Sequence, residues 1–229
     1  MAIGFGPTDH FDAGANLHEQ RSTVTIEEKT AFILDAAGNK ECETDGLDTT
    51  TRYENEYAYC NASPDIVTDL GVLLTEFGDL HGSAKVDELT IHFEEGQYAT
   101  VTIRGHQHAE NAHADSEGLA DVSGCGIPAD AGFGVPTLTG QVAGSDASPI
   151  SLDVTFRHTH VDRPGADGNH FAGKSVTFRS DVSETWLGIP TTPEPTGYST
   201  DSKSGASGND SNVDFDEYTY AGHKFYDAS

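Results

Sequence analysis

Positive charge is what this chain has least of. Its 229 residues carry 12 Lys+Arg against 38 Asp+Glu, a formal charge of −26. A field of one sign repels polyanions, which argues against an electrostatic grip on nucleic acid or an anionic membrane. Cysteine is also scarce. Cys42, Cys60 and Cys125 are too few, and odd in number, for a disulfide framework. A single Cys42–Cys60 bridge and three plain thiols both remain open. No apolar run approaches the roughly 18 residues that span a bilayer, and MAIGFGPTDHFDAG at the start has neither a basic nor an apolar signal region, so no secretory signal is expected. Catalytic signatures are missing too: no G-x-S-x-G elbow, Walker loop or dinucleotide fingerprint occurs. Nothing pairs a nucleophile with a base, so a non-enzymatic role is expected.

What is present reads as a folded β protein. Hydrophobic residues make up only 35%, but 11 Phe, 8 Tyr and clear Val/Ile/Leu runs argue against disorder. The acids are dispersed from Asp9 to Asp227 and form no tail. A dispersed excess suits a hydrated surface whose self-repulsion is relieved by salt, as in proteins of salt-loving organisms or their viruses. Acidic surfaces of ordinary secreted and virion proteins offer the other explanation.

Strand patterns run along most of the chain. Residues 22–34 are rich in β-branched residues and stop before a Gly38-Asn39 turn. In 50–60 the alternation slips between Tyr53 and Tyr57, which predicts a bulge or a start after Tyr53. The stretch 65–75 is the one candidate helix, with Ile66, Leu70, Leu73 and Leu74 on one face. From Val86 to Arg104, two alternating runs flank Glu95-Gly96 and predict a hairpin. Ile150, Leu152, Val154 and Phe156 share one face of a strand whose partner is Ser175–Val182. The predicted fold is mainly β: an antiparallel β-sandwich or barrel with long loops and at most one or two short helices, ending in an extended arm. Residues 1–189 form the β-rich domain, 190–212 a Pro/Ser/Gly-rich linker, and 213–229 an arm strand that pairs with a sheet edge of its own or a neighbouring subunit. Val213, Phe215, Tyr218, Tyr220 and Phe225 are the candidate subunit contacts.

Histidines supply the only chemically suggestive cluster. Arg104-Gly105-His106-Gln107-His108 and Phe156-Arg157-His158-Thr159-His160 each place H-x-H at a strand end. Residues i and i+2 on a strand point the same way, so each pair converges on one face. Neutral imidazole is a common metal ligand, and two such pairs would hold a structural divalent metal; no other cofactor is called for. Polar surface or inter-strand histidines are the leading reading, with the metal site as the alternative and no cofactor required. The paired acids Asp87-Glu88 and Glu94-Glu95 read as a charged edge that blocks aggregation.

The hairpin GQYATVTIRGHQHAENAHA, the loop GFGVPTL, and VTFRHTHVDRPGADGNHFAGKSVTF followed by WLGIPTT resemble structural proteins of tailed viruses, of bacteria or of haloarchaea. The type they look most like is the tail tube, or major tail, protein, and the likeness covers about residues 90–190. The resemblance implies a virion subunit that self-assembles into stacked rings, contacts other virion proteins and passes DNA as a transiting cargo. A capsid decoration, turret or fibre protein, or a metal- or glycan-binding β-sandwich module, are the alternative readings.

Overall fold

The computed structural model describes residues 17–59, 70, 73–74, 77, 84–94, 97–108, 148–164, 170–188, 198–206 and 217–226. Eight strands account for nearly all of these: β1 (Leu17–Leu34), β2 (Lys40–Tyr59), β3 (Lys85–Glu94), β4 (Ala99–His108), β5 (Ser148–Pro164), β6 (His170–Leu187), β7 (Ser199–Ala206) and β8 (Glu217–Tyr226). They form one sheet in the order β1-β2-β4-β3-β5-β6-β8-β7. Every neighbouring pair is antiparallel. The fold is therefore mainly β and antiparallel, as the alternation predicts.

Local chemistry sets the turns. Between β1 and β2, the Gly38 N–H donates to the Asp35 carbonyl at 2.9 Å, and Gly38 takes φ +84°, a conformation glycine adopts without strain. The Asp35 carboxylate accepts from the Ala37 and Asn39 amides, both at 2.8 Å. Those bonds, the Asn39 amide first, hold the Asp35 carboxyl below its usual range. Between β3 and β4, the Gln97 amide donates to the Glu94 carbonyl at 3.1 Å and closes the predicted hairpin.

One face of the sheet is apolar in continuous cross-strand rows. Tyr57, Val101, Ile91, Val154 and Val182 lie opposite one another in turn, and so do Ile103, Leu89 and Phe156. All of these are buried. Leu70, Leu73, Leu74 and Phe77 are helical and buried in the same core, with Phe77 edge-on to Tyr53 at 6.3 Å. Of the candidate helix face, Ile66 lies outside the described residues.

Two expectations change. No register shift interrupts β2 against β4 from Thr50 to Tyr59, and Tyr53, Asn55, Tyr57 and Tyr59 are all buried. The apparent slip is only a polar residue, Asn55, at an inward position. The stretch 190–212, linker by composition, contains β7, which pairs with β8 along its length. An exposed edge strand needs backbone partners more than apolar side chains, so composition does not reveal it. The arm strand itself is β8, and it pairs with β6 of its own chain.

Both long hairpins overrun the sheet at one end. β1 and β2 stay paired from Glu28–Thr49 to Leu34–Lys40, past the point where β2 leaves β4 at Thr50. β5 and β6 likewise continue to Pro164–His170 after β5 leaves β3 at Arg157. That is the end where β4 finishes with the first H-x-H pair.

Candidate functional site

The outer face carries a row of charge built by register. Glu54, Arg104, Glu88, Arg157 and Arg179 are consecutive cross-strand partners on β2, β4, β3, β5 and β6. Arg104 Nε donates to Glu54 at 2.8 Å and its Nη1 to Glu88 at 2.5 Å. The second Glu88 oxygen accepts from Arg157 Nε at 3.0 Å. Arg21 extends the row on β1, donating to Glu54 at 2.5 Å. At the other end Arg157 and Arg179 face each other with like charge, and Asp181 bonds Arg179 while lying 3.9 Å from Arg157. The Arg179 guanidinium stacks over Phe225 of β8 at 5.5 Å. Glu54 is held below the usual carboxylate range, chiefly by its hydrogen bond from Arg104.

The histidines sit beside this row. A bulge in β3 between Val86 and Glu88 leaves Asp87 as the extra residue, on the outer side. Its carboxylate oxygens lie 2.7 and 2.9 Å from His106 Nδ1, which as the donor carries the proton. His108 lies edge-on to His106, ring centroids 5.4 Å apart, and its Nδ1 is 3.2 Å from Thr50 Oγ1. Thr50, His106 and His108 are all buried, whereas Arg52 opposite His106 and Arg104 two residues back are exposed. Thr23, Thr25, Arg52, Glu54, Asp87 and Arg104 help line an adjoining cleft of about 260 Å³.

The second pair does not join the first. His158 follows Phe156 on the inner face and packs edge-on against Phe178 at 6.1 Å. His106 follows Arg104 on the outer face. The two H-x-H segments therefore aim His106/His108 and His158 at opposite sides of the sheet. His160 is placed in β5 opposite Ser175, but its side chain lies outside the described residues. Among the described residues no group of three or more His, Cys, Asp or Glu side chains is arranged to hold a metal ion. The four-nitrogen site expected from the sequence is not assembled by the histidines whose side chains are described.

The other expected sites divide as follows. Of the candidate subunit contacts, Tyr218 and Tyr220 are buried in this chain's own core, whereas Phe225 is 57% exposed. Val213, Phe215, Cys60 and Cys125 lie outside the described residues, and so does the side chain of Cys42. The acids Asp87 and Glu88 do not mark an edge, because β3 lies between β4 and β5.

Sequence reasoning missed Glu184. It is 2% exposed, on the inner face of β6 between Leu152 of β5 and Tyr220 of β8. Trp186 Nε1 donates to its Oε2 at 2.9 Å, while Oε1 has no hydrogen-bond partner among the described residues. Burial pushes the Glu184 carboxyl up to about 7 against the Trp186 bond, which pulls it down. The detectable signal was Val182-Ser-Glu184-Thr-Trp186, where strict alternation puts an acid on the apolar side.

Among the described residues no helix is long and apolar enough to cross a membrane. The sequence matches no protein-family model, and no curated protein matches it.

Proposed function

We propose that this chain is a non-enzymatic structural subunit of a virion, a tail tube protein whose copies join edge to edge into rings around a DNA channel. The observation that carries this reading is the sheet's two edges. β1 and β7 bound a sheet with an even number of antiparallel strands, so they run in opposite directions. Placed side by side by a rotation about an axis along the strands, β7 of one copy meets β1 of the next antiparallel, and the hydrogen-bond pattern continues.

One regular run of the longer edge is close to the shorter edge in length. The run Arg21–Lys29 of β1 lies between two register irregularities and holds nine residues, against eight in β7. Natural proteins usually keep edge strands short or guard them with charge. β1 is 18 residues long and exposes Ile26, Ile33 and Leu34. The acidity supports the same reading, since a conduit for DNA should repel phosphate.

Negative-stain microscopy of the full chain in molar salt tests the proposal. Rings or tubes are expected. The substitution Ile26→Lys, at a half-exposed edge position, should abolish them and leave the melting temperature within a degree or two. Monodisperse monomers across salt and protein concentration would overturn the reading.

A further inference from the structure

We propose that Glu184 is a proton-operated latch on the β6–β8 seam: with its carboxyl protonated the C-terminal hairpin β8–β7 is held on the sheet, and ionisation loosens it. The inference does not depend on ring assembly.

The argument starts from solvation. A carboxylate removed from water needs a cation or several hydrogen bonds, and one indole N–H is too little for a full charge. Around Glu184 the inner face gives no such compensation among the described residues. β5 contributes Leu152 and Val154, β6 Val182 and Trp186, and β8 Tyr218, Tyr220 and Gly222. The nearest cations by register are Lys203, on β7 beyond Tyr220, and Lys224, four residues along β8 from Tyr220. Neither acts on the Glu184 carboxyl, whose environment is set by burial and by Trp186. The other charged groups of this seam, Asp181 on β6 and His223 on β8 with Asp201 at 2.7 Å, belong to the outer face.

The seam is where a charge would have most effect. In strand pairing β7 joins the sheet through β8, and β8 through β6; the Ser180 and Tyr198 hydroxyls, 2.8 Å apart, also tie β6 to the residue before β7. Exposing Glu184 by parting β6 from β8 lets an ionised carboxylate reach water. The proton goes to solvent, and no other group need change.

The sign follows from the raised affinity for protons. An exposed glutamate titrates near 4.5 and the buried one near 7. Below 4.5 both forms hold the proton and the latch is fully closed. Between those values the open form gains about tenfold per pH unit, in all on the order of 300-fold, and above 7 the gain stops.

Trp186 is the chain's single tryptophan and hydrogen-bonds Glu184, so its emission reads the surroundings of that carboxyl. The full chain is titrated from pH 5 to 8 by fluorescence, with amide exchange protection read strand by strand. Emission should titrate with a midpoint near 7, and protection in β8 should fall about tenfold per unit relative to β3 until that midpoint. Glu184→Gln keeps an acceptor for the indole and removes the proton site. Its emission and its β8 protection should be flat, while His223 is still present. Flat emission in the parent protein would overturn the proposal, and so would a titration that survives in Glu184→Gln. Should that variant fail to fold, the parent decides alone: equal pH dependence of protection in β8 and β3 sinks the latch.

Discussion

One substitution made at three glycines should give three different results, because the space beside each is different. At Gly105 on β4, an added Cβ would lie 2.3 Å from the Lys85 carbonyl oxygen and 2.7 Å from Phe77 Cε1. Neither can move cheaply. Lys85 belongs to a strand inside the sheet, and Phe77 is fully buried against Tyr53. Overpacking of this kind costs about 1–3 kcal/mol, more where backbone must shift, so Gly105→Ala should lose about 3 kcal/mol. At Gly222 on β8 the new atom would meet the Tyr220 hydroxyl at 2.2 Å and the Ser199 carbonyl at 2.8 Å. The tyrosine ring is buried and the carbonyl is backbone, so a loss of about 1–3 kcal/mol is expected. At Gly205 on β7 the nearest atom is Tyr218 Cδ2 at 3.5 Å, an ordinary contact. There alanine should stabilise by about 0.4–1 kcal/mol, by narrowing the unfolded ensemble. Urea unfolding measures all three, with the slope checked for constancy so that midpoint shifts report stability. Gly105→Ala within about 0.5 kcal/mol of the parent would refute the packing of Phe77 on β4. A Gly205→Ala variant as damaged as Gly105→Ala would refute the open surroundings of β7.

Two further outcomes can be checked with the same material. Arg104→Met should cost roughly 0.5–2 kcal/mol in urea unfolding, because it removes two exposed pairs worth about 0.2–1 kcal/mol each, one to Glu54 and one to Glu88; it should also let the Glu54 carboxyl titrate higher by NMR, and no change in either would refute the charged row. Treatment with a chelator should leave the melting temperature unchanged, since His106/His108 and His158 point to opposite faces, and a fall of several degrees reversed by zinc would refute that arrangement.

How much of this was legible beforehand depends on what each strand has beneath it. The β3–β4 hairpin and the β5–β6 pair were readable because a continuous core imposes alternation on Leu89–Phe93, Ala99–Ile103, Leu152–Phe156 and Ser180–Trp186. The first half of β2, Lys40–Thr49, was not. It pairs with β1 in a two-stranded hairpin beyond β4, where nothing selects for apolar residues. β7 escaped for the same reason: STDSKSGA at a sheet edge carries no buried row. The placement of the histidines is more instructive. His106 stands two residues after Arg104, and His158 two after Phe156. Alternation alone thus assigns one pair to the charged face and the other to the apolar face. Matching the two H-x-H segments to each other hid the residue that precedes each.

The scarcity of positive charge also acquires a location. All 12 Lys and Arg lie within the eight strands, which hold 18 of the 38 acids. The remaining 20 acids fall in turns, connections and termini without a single Lys or Arg; residues 109–147 alone hold six. Cross-strand neighbours of like charge destabilise a sheet, so a chain with few cations has to place them where strands abut. Four of its arginines stand in the outer-face row, and arginine suits that place because one planar fork can bridge two carboxylates, as Arg104 does. The row's carboxylates are thereby paired, and the excess of −26 arises mostly outside the strands. Salt, which shortens the range of repulsion, then acts chiefly on the connecting segments, while the partly shielded pairs of the row feel it less. In the proposed ring the same division would serve assembly: repulsion between copies would come mainly from the connections, since the β1 and β7 strands themselves carry few net charges.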